Sequence, residues 1–319
     1  MNIFITGLAG FLGSNLGIRL ANDGHKIFGN DNFIGGYKDN LDKRFNFYDV
    51  DCCNLNDLES VIPDDIDIVF HCAATAYEGL SVFSPSFVTK NIFEASVSTV
   101  TASINKNAKK FIFCSSMARY GDQITPFTEN LTPKPEDPYG IAKVAAEEII
   151  INLCDTHDVD WTILVPHNIV GPRQKYDDPY RNVMSIFLNK MLLNEKIYIY
   201  GDGLQKRCFS YVDDCIDSME KCIYEKNSSK QIINIGPDEE TVTIKELAEL
   251  CSNEIGHNKD PIFISDRPRE VKFASCSSNK ARKLLDYSTK FTLKDSIKKT
   301  ADYIRTRGPK KFEYHINLE

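Results

Sequence analysis

The chain has 319 residues, 42% of them hydrophobic, 26% charged and 11% aromatic, with a formal charge of −7. That length points to two lobes over a sizeable apolar core. The spread of apolar residues excludes global disorder, and the acidic balance argues against a general nucleic-acid binder.

The first residues, NIFIT at 2–6, predict a short strand. A glycine-rich turn and an apolar-periodic helix over 11–22 follow, then a strand at 25–29 with Asp31 just past it. Further strands are predicted at 46–50, 66–72, 111–114 and 161–165, with helices at 55–61, 91–106 and 139–155. The run IDIVFHC is apolar throughout, as in a strand buried on both faces. Strand and helix alternating at this spacing predict a doubly wound parallel sheet, whose ligand edge is the one where the strands end. After Gly171 the rhythm changes. Residues 172–181 (PRQKYDDPYR) read as loop, followed by helix 182–193 and strand 197–200, then a basic-polar loop through Arg207. Helix 213–226 and strand 231–235 return to the first lobe as a late α/β unit. Beyond Pro237 come helix 243–255, strand 261–264, a basic loop at 267–272, and helices 278–285 and 293–306. The tail GPKKFEYHINLE reads as a loosely packed arm.

No apolar run has membrane-spanning length. The N-terminus lacks a basic leader and a small-residue cleavage site, which predicts a cytoplasmic protein. The ten cysteines show no CxxC pair and no Cys/His cluster. They read as buried thiols in a reducing compartment, with no metal site.

Gly7, Gly10 and Gly13 stand three apart between a strand and a helix. In that setting the first glycine makes the tight turn, the second admits a pyrophosphate and the third lets helix and strand pack closely. The helix N-terminus offers free N–H donors and partial positive charge to phosphate. Asp31 stands where a carboxylate accepts the adenosine ribose hydroxyls, which favours NAD over NADP.

Ser116 follows a strand, and Tyr139 and Lys143 share one face of a helix start. A free phenol has a pKa near 10, and bringing it to neutral pH takes about 4 kcal/mol of differential stabilisation. A nearby ammonium and a positive nicotinamide both favour the phenolate. Tyr139 then takes a proton from a sugar hydroxyl as hydride leaves the same carbon. Ser116 orients that oxygen, and Lys143 holds the nicotinamide ribose.

Together these residues resemble the extended short-chain dehydrogenase/reductase family, in its NAD-dependent nucleotide-sugar epimerase/dehydratase branch, over nearly the whole chain. The resemblance implies a Rossmann-type doubly wound parallel sheet with a smaller mixed α/β substrate-binding lobe. The NAD-binding part is expected at 1–167 and 210–236, and the nucleotide-sugar part at 168–209 and 237–319. TGLAGFLGSNL matches the phosphate loop, adding Phe11 and Leu12 to the cofactor contacts, and DNF, with Asn32, matches the ribose turn. Asp49-Val50 matches the adenine-contacting step, and HCAA matches the strand end where Ala73 and Ala74 line the cofactor. Ser81, Pro85 and Asn91 fit the following segment, with Ser81 expected at the substrate and Asn91 at the cofactor. SSMARYG matches a motif that puts Ser115 at the cofactor and Ser116 at the catalytic position. PHNIVGPR matches the loop joining the lobes, with Pro166 and His167 at the cofactor and Asn168 at the sugar diphosphate. YGDGLQKRCFSYVDD and DRPREV match segments whose arginines, Arg207 and Arg267, bind the diphosphate.

The resemblance implies a nucleotide-sugar 4-epimerase, first of UDP-hexoses or UDP-N-acetylhexosamines, pairing as a homodimer through helices 91–106 and 139–155. Family 4,6-dehydratases carry Asp-Glu where Met117 and Ala118 stand here, so dehydration loses support, although Glu78 offers another carboxylate. Decarboxylases also usually carry a Glu at the second place. A noncatalytic NAD-binding protein is the competitor from a different class, opposed by the intact Ser-Tyr-Lys set. Cys208 replaces a common Asp, and Ser277 another near the nucleotide. Arg119 stands where valine is common and reads as a surface charge. His71 and Trp161 read as core residues, and Lys109-Lys110 and Lys298-Lys299 as solvated ends.

Overall fold

The computed structural model describes residues 1–266 and 271–312. In chain order the first half is β1 (Asn2–Thr6), α1 (Phe11–Asn22), β2 (Lys26–Asn30), β3 (Asn46–Tyr48), α2 (Leu55–Val61) and β4 (Ile68–His71). Next come α3 (Glu78–Ser81), α4 (Pro85–Thr89), α5 (Ala95–Asn105), β5 (Lys110–Cys114), α6 (Pro138–Thr156) and β6 (Asp160–Pro166). The second half is β7 (Ile169–Val170), α7 (Val183–Leu192), β8 (Tyr198–Tyr200), β9 (Lys206–Arg207), β10 (Ser210–Tyr211), α8 (Val212–Tyr224) and β11 (Gln231–Ile235). It ends with β12 (Val242–Thr243), α9 (Ile244–Ile255), β13 (Ile262–Ile264), β14 (Phe273–Ala274), α10 (Asn279–Leu285) and α11 (Leu293–Arg307).

Seven strands form one all-parallel sheet in the order β3-β2-β1-β4-β5-β6-β11. Successive side chains of a strand point to opposite faces, and the two faces are buried by different helices. Phe4, Val69, Phe111 and Phe113 pack with Leu58 of α2, Val100 of α5 and Ile150 of α6. Their neighbours Ile3, Phe70 and Ile112 pack with Leu16 of α1 and Ile216 of α8. A strand apolar at every position is what this double coverage demands. The chain leaves β1 towards β2 on one side and returns to β4 on the other. The crevice for a ligand opens where those connections diverge.

A third core gathers Met184 and Phe187 of α7, Leu247 and Cys251 of α9, and Ile297 and Ala301 of α11. Short pairs, β7 with β10, β8 with β13, and β9 between β12 and β14, complete this part. The parallel sheet and the mixed smaller layer therefore match the expected fold class. No described helix is long and apolar enough to cross a membrane.

Several boundaries differ from expectation for local reasons. The helix expected at 91–106 begins with a π turn over Lys90–Glu94, and regular α5 starts at Ala95. Strand β3 stops at Tyr48, because the Val50 amide turns back to the Tyr48 carbonyl at 3.1 Å. The tail is anchored up to Phe312: Tyr176 Oη donates to the Gly308 carbonyl at 2.9 Å, and Asn189 makes two hydrogen bonds with the Lys310 backbone. The loosely packed arm is thus corrected for 308–312, and the rest of it lies outside the described residues. Arg119, expected at the surface, is buried, and so is Lys110, whose Nζ pairs with Asp160 at 3.0 Å. Neither charge is betrayed by its sequence neighbours, because the partners arrive from other elements. His71 is a buried, doubly hydrogen-bonded core residue, bonded to Thr6 at 2.7 Å and Ser96 at 3.0 Å.

A very tight backbone approach lies under α1. A Cβ at position 13 would sit 2.1 Å from the Gly7 carbonyl oxygen, and one at position 7 would sit 2.9 Å from Ala73. Gly13→Ala is therefore expected to destabilise the chain by about 1–3 kcal/mol, read as a lower urea midpoint. An unchanged midpoint would contradict this packing.

Candidate active site

One cavity of about 1070 Å3 runs along the edge where the parallel strands end and continues into the smaller layer. The loop after β1 brings Gly7, Gly10, Phe11, Leu12 and Gly13 to its wall, and the end of β2 adds Asp31 and Asn32. Val50, Ala73, Ala74 and Asn91 line it next, followed by Ser115, Ser116, Tyr139, Lys143 and Pro166. Asn168 and Arg207 carry the wall into the second layer. Residues more than a hundred positions apart meet here because parallel strands end on one edge.

The glycine loop and Asp31 fit a dinucleotide. Helix α1 starts at an extended Gly10 with no side-chain cap and no acidic residue in its first turn. Its leading N–H groups are thus available to a pyrophosphate. Asp31 is held rigidly: Oδ2 accepts the Ala9 amide at 3.0 Å and Oδ1 the Phe33 amide at 2.7 Å. Burial pushes its carboxyl up while these amides pull it down. Each oxygen keeps a second lone pair for a ribose hydroxyl.

Helix α6 sets the catalytic candidates. Pro138 occupies its first turn, and the Asp137 side chain caps it by accepting the Gly140 amide at 2.9 Å. This fixes Tyr139 and Lys143 one turn apart, both buried. Lys143 Nζ donates to the Cys114 carbonyl at 2.7 Å and lies 4.7 Å over the Phe113 ring. Burial pushes this ammonium down to about 8, against Cys114, Glu147 and Cys72, which raise it. Tyr139 stands beside Ser116 in the cavity wall. Burial raises the phenol above its ordinary range, Ser116 and Arg181 act to lower it, and Glu78 and Asp137 act to raise it. Ser116 Oγ also accepts the Ala118 amide at 3.2 Å, which fixes its position at the strand end.

Some expected contacts lie off the wall. Asp49 is exposed beyond the end of β3, and Asp51 and Cys52 line the cavity instead. Ser81 is buried, with Oγ donating to the Glu78 carbonyl at 2.7 Å and to Asp137 at 3.3 Å, while Glu78 lines the cavity. His167 is buried behind the wall: its amide donates to Ile235 at 3.0 Å and its carbonyl accepts Ser210 Oγ at 2.7 Å. Burial pushes its imidazole down to about 4. Ser115 lines the cavity, but its hydroxyl donates to Glu147. Arg267 lies outside the described residues. Among the described residues no cluster suited to a metal ion occurs.

The structure also brings in groups that were read only as loop. Lys175, Tyr180 and Arg181 from PRQKYDDPYR line the cavity, as do Gln205, Phe209 and Phe312. Arg181 stacks 4.5 Å from the Tyr77 ring and donates to Asp178 Oδ2 at 3.3 Å and to Tyr77 Oη at 3.2 Å. Asp178 three residues before it was the one local signal of a fixed arginine.

A profile of the NAD dependent epimerase/dehydratase family matches residues 3–236. The chain is 29% identical over 319 residues to the UDP-glucose 4-epimerase of Mycolicibacterium smegmatis, covering 97% of this chain and all of that one. It superposes with a TM-score of 0.90 on a Thermotoga maritima UDP-glucose 4-epimerase solved with UDP-glucose, at 30% identity over 96% of this chain and 99% of that one. A Bacillus cereus UDP-glucuronic acid 4-epimerase solved with UDP-glucuronic acid and NAD gives 0.87 at 30% identity, over 97% of this chain and the whole of that one. With the glycine loop, the parallel sheet and the strand-edge cavity, these likenesses establish that the chain belongs to the NAD dependent epimerase/dehydratase family.

Proposed function

We propose that the chain is an NAD-dependent nucleotide-sugar 4-epimerase acting on a UDP-hexose or UDP-N-acetylhexosamine. The observation that carries this reading is the single cavity with Ser116, Tyr139 and Lys143 between the glycine loop and Arg207. One ligand edge thus offers phosphate donors, a proton acceptor and a second anion-binding region together. The named relatives act on UDP-sugars, which supports uracil as the base.

When bound, NAD supplies a two-electron acceptor for the sugar C4 hydride and a positive ring that favours a phenolate. Tyr139 takes the proton of the 4-hydroxyl, and Ser116 holds the oxygen as the carbonyl forms. Lys143 is assigned the nicotinamide ribose, keeping a positive charge at the cavity floor. Asn168, Arg207 and Arg267 are assigned the diphosphate, so that the 4-keto sugar turns about a fixed anchor. The proton then returns from Tyr139 to the oxygen as hydride is restored on the other face, and mass is conserved. Met117 and Ala118 supply no carboxylate beside Ser116. A dehydratase reading survives on one observation, that Glu78 lines the cavity and its charge reaches Tyr139.

We also propose a division into an NAD-binding part, 1–167 with 210–236, and a nucleotide-sugar part from the remainder. Two copies are proposed to pair through α5 with its leading π turn and α6, where Phe93 of the π turn and Ile141 of α6 are exposed. The ten unpaired thiols support a reducing, cytoplasmic setting. Light scattering is expected to give twice 36.2 kDa. A monomer at micromolar concentration would remove the pairing.

Incubation with a panel of UDP-, GDP-, CDP- and dTDP-sugars, followed by mass analysis and NMR, tests the activity. A 4-epimer of unchanged mass is expected, whereas a product lighter by one water means dehydration. Tyr139→Phe is expected to retain bound NAD and lose turnover by about a hundredfold or more. Asp31→Ala is expected to weaken NAD binding by about 1–3 kcal/mol in calorimetry through lost ribose hydrogen bonds.

A further inference from the structure

Behind the cavity wall lies a cluster of charges that the proposed reaction does not use. Arg119 Nη2 and Glu147 Oε2 form an ion pair of 2.8 Å between side chains only 4% and 2% exposed. The other carboxylate oxygen accepts the Ser115 hydroxyl. Arg119 Nη1 also donates to Tyr120 Oη at 3.1 Å, and Tyr120 Oη donates to Asn234 Oδ1 at 2.8 Å, tying the pair to β11. Glu147 stands four residues after Lys143 on α6, so the two share one helix face. A carboxylate buried this deeply stays charged only with a partner, and the guanidinium provides one.

We propose that Arg119 and Glu147 are a positioning pair for Lys143: the guanidinium keeps the Glu147 carboxylate ionised and bound to Ser115, and that anion keeps the Lys143 ammonium charged beneath the cavity. The inference deepens the proposed epimerase reading and relies on it for its kinetic readout.

Among the described residues, the other groups facing Lys143 add no comparable carboxylate. They are the thiols of Cys72 and Cys114, the His71 imidazole and the Phe113 ring, with Tyr139 one turn earlier on the same helix. Burial pushes the His71 imidazole down to about 3 and leaves it neutral. It pushes the Glu147 carboxyl up, and Arg119 and Ser115 act in the opposite direction. Lys143, at about 8, stands close enough to neutral pH for the loss of one buried anion to change its charge in the working range. The sign follows directly. Losing the anion lowers the ammonium pKa, so the charged form disappears at a lower pH.

Glu147→Gln is the sharpest probe, because the amide keeps the shape and can still accept from Ser115 while losing the charge. The full-length enzyme with its NAD is assayed for kcat against pH. In parallel, Lys143 is titrated by NMR of 15N-lysine-labelled protein. The alkaline limb and the Lys143 titration are both expected to move down by about one pH unit. Because Glu147→Gln leaves a buried guanidinium unpaired, the double variant Arg119→Met/Glu147→Gln is measured beside it. That variant carries a neutral pair, is expected to recover folding, and is expected to keep the lowered titration. A merely structural pair would change the melting temperature and leave both pH readings in place, and that result in the folded double variant overturns the proposal. If the wild type turns over no nucleotide sugar, the epimerase reading fails, yet the NMR titration still decides whether Glu147 supports Lys143.

Discussion

A parallel sheet delivers all of its strand ends to one edge, and the candidate site of this chain is hung from that edge. The loop after β1 supplies the glycines, the end of β2 supplies Asp31, the end of β4 leads to Ala73, and the end of β5 leads to Ser116. Strand β6 runs on to Pro166 and Asn168. None of these groups could be moved without shifting a strand that is packed on both faces. The close contact of Gly7 with Ala73 ties the phosphate loop to the neighbouring strand end, so the geometry of the crevice is fixed by backbone packing before any ligand arrives.

On this scaffold the chemistry is set by how much charge the interior tolerates. Tyr139, Lys143, Glu147 and Arg119 are all buried within a few turns of α6 and the end of β5. Each would be costly alone. Together they form a chain in which cations and an anion alternate, with carbonyl, hydroxyl and ring contacts filling the remaining directions. Burial drives the ammonium down and the phenol up. A positive ligand ring then shifts the phenol more strongly in this dry setting than it would in water. The site has the character of an apparatus completed by its cofactor.

The second layer gives the cavity its remaining wall. Arg181, Gln205 and Phe312 come from three separate stretches, and each is held by contacts outside its own stretch or packed beside α7. The polar loop 172–181 looks featureless by composition, yet its Asp177, Asp178 and Lys175 are buried in ion pairs and hydrogen bonds. Tyr37 and Tyr77, which donate to Asp177 and Asp178, lie too far away in sequence for spacing to reveal them.

The order and type of the sheet elements, the glycine turn, Asp31, and the pairing of Tyr139 with Lys143 were legible in the sequence. Each depends on local periodicity, on a residue that only one backbone conformation accepts, or on helix spacing. Ser116 was legible from the strand that precedes it, the family resemblance located Asn168 and Arg207, and all three line the cavity. The resemblance also pointed to Asp49, Ser81 and His167, which do not reach it, because the end of β3, the Ser81 hydroxyl and the His167 backbone are committed to other bonds. Arg119 shows the limit most clearly: from sequence it is a charge in a loop, and in the fold it is a buried cation. Short-range periodicity and steric demand are written into neighbouring residues. Which charges are buried, and beside what, is decided only when strands and helices distant along the chain close upon one another.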